Sequence, residues 1–244
     1  MDTCIIIPCY NEFDRLPILD FTNYIKENNI HFCFVNDGST DNTLSVLNSL
    51  QLKFPNKVTI VNCEQNVGKA EAIRKAVLIV AEKTTFSYIG FFDADLATPL
   101  TEIDSLLKTL KANPEIRLIM GSRIKRLGSV INRKYSRFLF GRIFATIVSE
   151  FLLKLPIYDT QCGAKIFKKN IALIMFKDQF ITKWIFDVEM LLRLIQKFGL
   201  EFMQNSIYEF PLNIWEEKGG SKIKFLDFFN VPKDFINLKI KYKD

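Results

Sequence analysis

Histidine is nearly missing from this sequence: His31 is the single one among 244 residues. One imidazole ahead of an apolar run leaves no Ser-His-Asp triad and no histidine-built zinc site to assemble. Cysteine is sparse too. The five present (Cys4, Cys9, Cys33, Cys63, Cys162) form no C-x-x-C pair, and most lie in or beside apolar runs, so buried reduced thiols are expected. Two glycine patterns are absent. No G-x-G-x-x-G follows the first apolar run, which argues against a dinucleotide-binding domain. Asn66-Val67-Gly68-Lys69 ends like a P-loop, but Cys63 stands at the first glycine position and Ala70 follows the lysine. No stretch reaches the roughly 18 uncharged apolar residues of a spanning helix. The nearest, residues 138–158, is broken by Arg142, Glu150 and Lys154. No basic region with an apolar signal core precedes the first strand, and the expectation is a cytoplasmic protein, peripheral on the cytoplasmic face of a membrane.

What is present is an ordinary globular balance, 48% hydrophobic and 25% charged, with a surplus of 23 Phe. The formal charge of +6 favours anionic partners such as phosphates or an acidic membrane surface. Nucleic acid is not expected, because no helix-turn-helix, zinc-finger or RNA-stacking signature occurs. The length suits one substantial α/β domain.

The chain is organised around Phe91-Phe92-Asp93-Ala94-Asp95-Leu96-Ala97-Thr98-Pro99. The apolar run Tyr88–Phe92 reads as a buried strand ending where two carboxylates begin. Spaced two apart, Asp93 and Asp95 share one face if the backbone stays extended. Such a pair at a strand's carboxyl end suits a hard divalent cation that also holds phosphate oxygens.

Strands and helices alternate before it: strand 3–8, a helix over about 15–28, strand 31–35, a helix near 43–50, strand 57–62 and a helix over 68–83. This predicts a parallel sheet with helices on both faces and one crevice at its carboxyl edge. The polar segments Pro8–Glu12, Asp37–Thr43, Asn66–Lys69 and Asp93–Thr98 all fall on that edge. Beyond a fifth strand (117–120) the alternation stops. Residues 123–142 carry Arg123, Lys125, Arg126, Arg133, Lys134, Arg137 and Arg142 with no acid, and lead into an apolar helix expected over 138–155. Basic residues beside an apolar face suit an anionic membrane surface.

These segments, with Gly121-Ser122-Arg123, Asp159-Thr160-Gln161-Cys162-Gly163-Ala164-Lys165-Ile166-Phe167, Trp184-Ile185-Phe186-Asp187-Val188-Glu189 and Gly220-Ser221-Lys222, resemble a family 2 glycosyltransferase. The resemblance spans nearly the whole chain and is nearest to dolichyl- and polyprenyl-phosphate β-glucosyltransferases. It implies a GT-A fold, a Rossmann-like, mostly parallel sheet with helices on both faces. One catalytic domain over 1–244 is implied, with residues 1–122 as the nucleotide-sugar half and 123–244 as the acceptor and membrane-facing half. By the same resemblance Pro8, Tyr10, Asn11, Glu12, Asp37, Lys69, Asp93, Ala94 and Asp95 bind a UDP-sugar, and Asp93 and Asp95 hold Mg²⁺ or Mn²⁺. Asp159 and Asp187 compete for the catalytic place beside Arg123. Asp187 sits where relatives with hydroxyl acceptors keep a base, and Glu189 is assigned to structure. Both acids also open a helix, where the dipole favours them.

A lipid phosphate acceptor needs cations rather than a base, since it is largely dianionic at neutral pH. Arg123, Arg133, Arg137 and Lys222 are its candidate ligands. The reading is therefore a metal-dependent, inverting transfer of glucose from UDP-glucose to a polyprenyl or dolichyl phosphate. Its alternatives are transfer to a glycan hydroxyl in cell-surface polysaccharide synthesis and a catalytically silent nucleotide-sugar-binding protein.

Overall fold

The computed structural model describes residues 1–83, 85–219 and 227–242, apart from the side chains of residues 136, 137, 140 and 227–230. In chain order the elements are β1 (Thr3–Cys9), α1 (Ile18–Glu27), β2 (His31–Asp37), α2 (Thr43–Lys53), β3 (Val58–Cys63), α3 (Lys69–Glu82), β4 (Tyr88–Phe92), α4 (Thr101–Ala112) and β5 (Leu118–Ser122). There follow β6 (Val130–Asn132), α5 (Tyr135–Val148), a π-helical turn (Ser149–Leu153), β7 (Ala164–Lys168), α6 (Lys169–Phe176), α7 (Phe186–Ser206), β8 (Ile207–Pro211), β9 (Ile214–Glu216) and α8 (Asp227–Lys241). Two compact units result. Met1–Leu96 with Gly163–Lys177 form the first, and Ala97–Cys162 with Asp178–Asp244 the second.

The first unit is built on strands in the order β3-β2-β1-β4-β7. β1 lies between β2 and β4 and runs parallel to both, and β3 is parallel to β2. Strands of this kind are covered on both faces, which accounts for runs such as Cys4-Ile5-Ile6-Ile7, all at 0% exposure. Helix α3 packs on β1 and β2 through Ala72, Ile73, Ala76, Val77 and Val80 at helical spacing. His31 belongs to this core, bonded to the Thr59 hydroxyl at 2.7 Å. All five cysteines are buried outside any disulfide, and burial pushes the Cys33 thiol up to about 12, so they serve as packing.

Three expectations need correction. Helix α1 starts at Ile18 rather than near Arg15, because Pro17 disfavours helical backbone in the residue before it. The helix expected over 138–155 runs from Tyr135 to Val148 and then widens into the π turn. The motif Gly163–Phe167 contains a strand: β7 pairs with β4 antiparallel, Phe92 opposite Ala164. The four strand–helix repeats show a parallel sheet, whereas the returning segment enters from the other direction.

The second unit joins β5 to β8 in parallel and β6 to β9 in parallel. Helix α7 is broken at Gly199, whose φ of 80° only glycine adopts at little cost. Among the described residues, no helix is long and apolar enough to cross a membrane. A buried network supports α7. Glu189, fully buried, accepts from Ile181 and Thr182 N–H, from Arg193 Nη2 at 2.9 Å and from the Tyr242 hydroxyl at 3.0 Å. Arg193 in turn donates to the Asp178 and Gln179 carbonyls. Glu189 is a structural residue, as the motif reading has it. Removing one member of such a pair strands the other charge. Glu189→Ala is therefore expected to destabilise the fold by about 3–5 kcal/mol, read from a denaturant midpoint, with Glu189→Gln less damaging.

Candidate active site

In the first unit the loops after β1 and β2 are laced together. Asn11, at a left-handed φ of 48°, donates its N–H to the Ser39 hydroxyl and accepts the Thr40 N–H on Oδ1 at 2.8 Å. Glu12 N–H donates to Thr43 Oγ1, and Phe13 N–H to Asp41. Pro8 is held in the ladder opposite Val35, with Tyr10 following half-buried. The sequence thus brings Pro8, Tyr10, Asn11 and Glu12 to one edge with a fixed loop shape. Asp37, the last residue of β2, has partners on both carboxylate oxygens. At 3% exposure, its Oδ1 accepts the Val67 N–H at 2.8 Å, and its Oδ2 accepts the Gly68 N–H and the Asn66 side-chain amide. Asp37 fixes the loop that starts α3, and so positions Lys69.

Lys69 reaches Asp93: its Nζ donates to Oδ1 at 2.5 Å, with both side chains well exposed. β4 ends at Phe92, and Asp93–Leu96 form a turn closed by the Leu96 N–H on the Asp93 carbonyl, with Leu96 at a φ of 51°. The two carboxylates therefore stand on a turn, not on one face of an extended strand as the spacing predicts. The ladder to β7 stops at Phe92, so nothing holds the next residues extended. Ala94 is buried at the turn's centre and Asp95 is partly exposed.

Gly163 is a residue the sequence reading did not single out. A Cβ built on it would lie 1.9 Å from Asp93 Oδ2, so the carboxylate rests directly on glycine backbone. This donor set fits a hard divalent cation. The oxygens are carboxylate, Asp93 sits in a cradle that a methyl group would fill, and among the described residues no cluster of three or more ligating side chains makes a closed cage. A cation bound through one or two carboxylates, with substrate phosphate and water completing its shell, matches Mg²⁺ or Mn²⁺.

In the second unit Arg123 forks onto Asp159: Nε to Oδ2 at 2.6 Å and Nη2 to Oδ1 at 2.7 Å. The Arg123 and Gln161 N–H groups donate to the same carboxylate. Burial alone would raise the Asp159 pKa, but the charge and hydrogen bonds of Arg123 outweigh it and bring it to about 2. A carboxylate so held is a poor proton acceptor; its geometry is that of an arginine positioner. Glu209, also missed in the sequence, holds the segment from below, accepting the Tyr158 and Asp159 N–H groups at 2.7 Å each. The Arg123 guanidinium lies 5.3 Å over the Trp215 ring. Arg133 lies close enough to feel Arg123: burial first, then that like charge, lower its pKa. Asp187 opens α7 at 5% exposure. The Arg137 side chain and Lys222 lie outside the described residues.

The family described as Glycosyl transferase family 2 matches residues 4–173. The chain belongs to glycosyltransferase family 2. A dolichyl-phosphate beta-glucosyltransferase of Trichomonas vaginalis is 30% identical over 99% of this chain and 72% of its own length. Another, of Dictyostelium discoideum, is 30% identical over 98% of this chain and 74% of its own. Among solved structures, glucosyl-3-phosphoglycerate synthase of Mycobacterium tuberculosis with Mn²⁺, UDP-glucose and phosphoglyceric acid superposes with a TM-score of 0.69 at 15% identity, covering 98% of this chain and 79% of that one. The mostly parallel sheet flanked by helices is the GT-A fold, as expected, and the protein is a glycosyltransferase.

Two predictions follow from this glycosyltransferase's site geometry. Gly163→Ala has no room for its Cβ beside the Asp93 carboxylate, and is expected to destabilise the fold by about 1–3 kcal/mol, read from a denaturant midpoint. Asp159 has a folded pKa below its unfolded value, so its stabilisation is present above about pH 4 and fades as pH falls through about 2. Asp159→Asn should therefore cost about 2 kcal/mol at neutral pH, and the gap to the parent should close in acid unfolding curves.

Proposed function

We propose that this glycosyltransferase moves glucose from UDP-glucose to a polyprenyl or dolichyl phosphate, with inversion at the anomeric carbon. The observation that carries the proposal is the pairing of Arg123 with a buried, permanently ionised Asp159, next to an Arg133 crowded by like charge. Two guanidiniums stand here against the Asp159 carboxylate and, at longer range, Glu217, and a carboxylate held at so low a pKa offers arginine donors rather than a proton acceptor. This arrangement suits an acceptor that arrives already unprotonated, as a phosphate monoester with a second pKa near ~6 does. The names of the two relatives above, both dolichyl-phosphate beta-glucosyltransferases, support the same acceptor and sugar. The solved neighbour holding Mn²⁺ and UDP-glucose supports the donor and the metal.

On this reading the β1 and β2 loops, with Pro8, Tyr10, Asn11 and Glu12, receive the uridine, and Asp37 keeps the Asn66–Lys69 loop in register beside it. Asp93 and Asp95 hold Mg²⁺ or Mn²⁺, which when bound neutralises charge on the diphosphate leaving group. Lys69 adds a second positive charge at Asp93. Arg123, oriented by Asp159, binds the acceptor phosphate bidentately, with Arg133 as a further cation. A phosphate oxygen forms the new bond to the anomeric carbon while the bond to the diphosphate breaks, and UDP leaves with the electron pair. No proton has to move.

The test measures UDP release from UDP-glucose with and without a polyprenyl phosphate. Lipid-stimulated release that EDTA abolishes is the expected result, falling at least a hundredfold in Asp95→Ala. Asp187→Asn should retain most of the turnover with the phosphate acceptor. A loss there as large as in Asp95→Ala would favour a glycan hydroxyl acceptor, which needs Asp187 as its base.

A further inference from the structure

Helix α5 buries one side, through Ala145 and Val148 with Phe144 against Trp184, and leaves the other bare. Along the bare side stand Tyr135, Leu139, Ile143, Ile147 and Phe151, exposed by 78%, 47%, 52%, 42% and 61%. The spacing is four residues throughout. At 3.6 residues per turn such a row drifts by about 40° at each step. The π turn over Ser149–Leu153 holds more residues per turn and swings Phe151 back toward the row. The result is a continuous apolar ridge some four turns long.

Its lead-in along the chain is basic, while Glu150 is exposed between Ile147 and Phe151 and Glu217 accepts the Lys134 N–H. From Arg123 to Val148 the chain has seven Lys or Arg and no acid, the first being Glu150. Lys125 and Lys134 are exposed. The same unit carries a second apolar point: Leu127, fully exposed at a turn between Arg126 and Gly128. That turn is stiff, since Arg126 N–H donates to the Ser129 hydroxyl, Ser129 N–H to the Arg126 carbonyl, and Arg126 Nη2 to Asn213. Leu127 thus stands exposed on a braced turn directly after Lys125 and Arg126.

We propose that the α5 ridge and the Leu127 turn are a docking surface for an anionic phospholipid bilayer, lying in the headgroup layer with the apolar row turned into the acyl boundary. Shape and charge both favour a membrane over a protein partner. A ridge of five large apolar side chains with a basic lead-in, whose seven Lys and Arg outnumber the neighbouring Glu150 and Glu217, matches the interfacial helices that combine buried apolar area with attraction to acidic lipids. The ridge is also tied to the acceptor group: Arg142 donates to the Tyr158 carbonyl at 2.6 Å and stacks 3.6 Å from that ring's centre, one residue before Asp159. The inference rests on the proposed lipid phosphate acceptor for its purpose, but not for its test.

The test is flotation of the full chain with phosphatidylcholine vesicles, with and without phosphatidylserine, at low and high salt. Binding that requires the acidic lipid, weakens with salt and drops at least tenfold in Ile143→Glu/Ile147→Glu is expected. The same double variant should keep parental UDP-glucose turnover on a short, water-soluble prenyl phosphate and lose it on acceptor embedded in vesicles. No flotation of the parent overturns the surface, whatever its enzymatic activity. Flotation that survives both glutamates also overturns it. A parent that is dimeric, fails to float and becomes monomeric in the double variant would make the ridge an interface between two copies. A parent that floats but transfers nothing to a prenyl phosphate would leave the surface standing and remove the proposed acceptor.

Discussion

One interaction recurs where this chain holds a loop still: a buried or half-buried carboxylate that accepts backbone N–H groups from another segment. Asp37 takes those of Val67 and Gly68, Glu102 those of Asn213 and Ile214, Glu189 those of Ile181 and Thr182, and Glu209 those of Tyr158 and Asp159. Loops at a sheet's edge leave main-chain donors without ladder partners, and a buried unpaired donor is costly. A carboxylate offers several acceptor sites at once and bonds more strongly than a neutral group. Two of these clamps sit next to candidate site residues: Asp37 before Lys69, Glu209 under Asp159. The rigidity of the site comes from these acids, which the reaction itself does not consume.

The two carboxylate sets divide the work by environment. Asp93 and Asp95 are partly exposed on a turn, with the Lys69 ammonium on Asp93. Asp159 is buried and saturated with donors, and its charge is committed to Arg123. Glu209, a few ångströms away through Asp159's backbone, is pushed the opposite way, its pKa raised by burial despite the N–H groups it accepts. Residues of one chemical type thus act as ligand, positioner and brace according to exposure and partners.

Much of the donor half was legible in the residues. Four apolar runs separated by helix-length segments dictate parallel strands, and right-handed crossovers then put every strand's following loop on one edge. Pro8–Glu12, Asp37–Thr43, Asn66–Lys69 and Asp93–Asp95 had nowhere else to go. The later half was harder. β6, β8 and β9 are three to five residues long and lack a clear period, β7 hides in a motif read for its chemistry, and Gly199 breaks a helix whose apolar spacing runs on.

The sequence by itself determined the layered α/β architecture, the edge on which the loops after β1 to β4 gather, and the acid-free basic run that leads into α5. Local periodicity and composition are enough for those, because they depend on neighbours within a few positions. Only the tertiary structure decided that Asp37 braces a loop, that Asp93 rests on Gly163, that Asp159 is spent on Arg123 and held by Glu209, and that α5 turns a row of large apolar side chains outward. Each of those depends on which distant backbone donor or bare surface meets a side chain, and that is set by packing rather than by spacing along the chain.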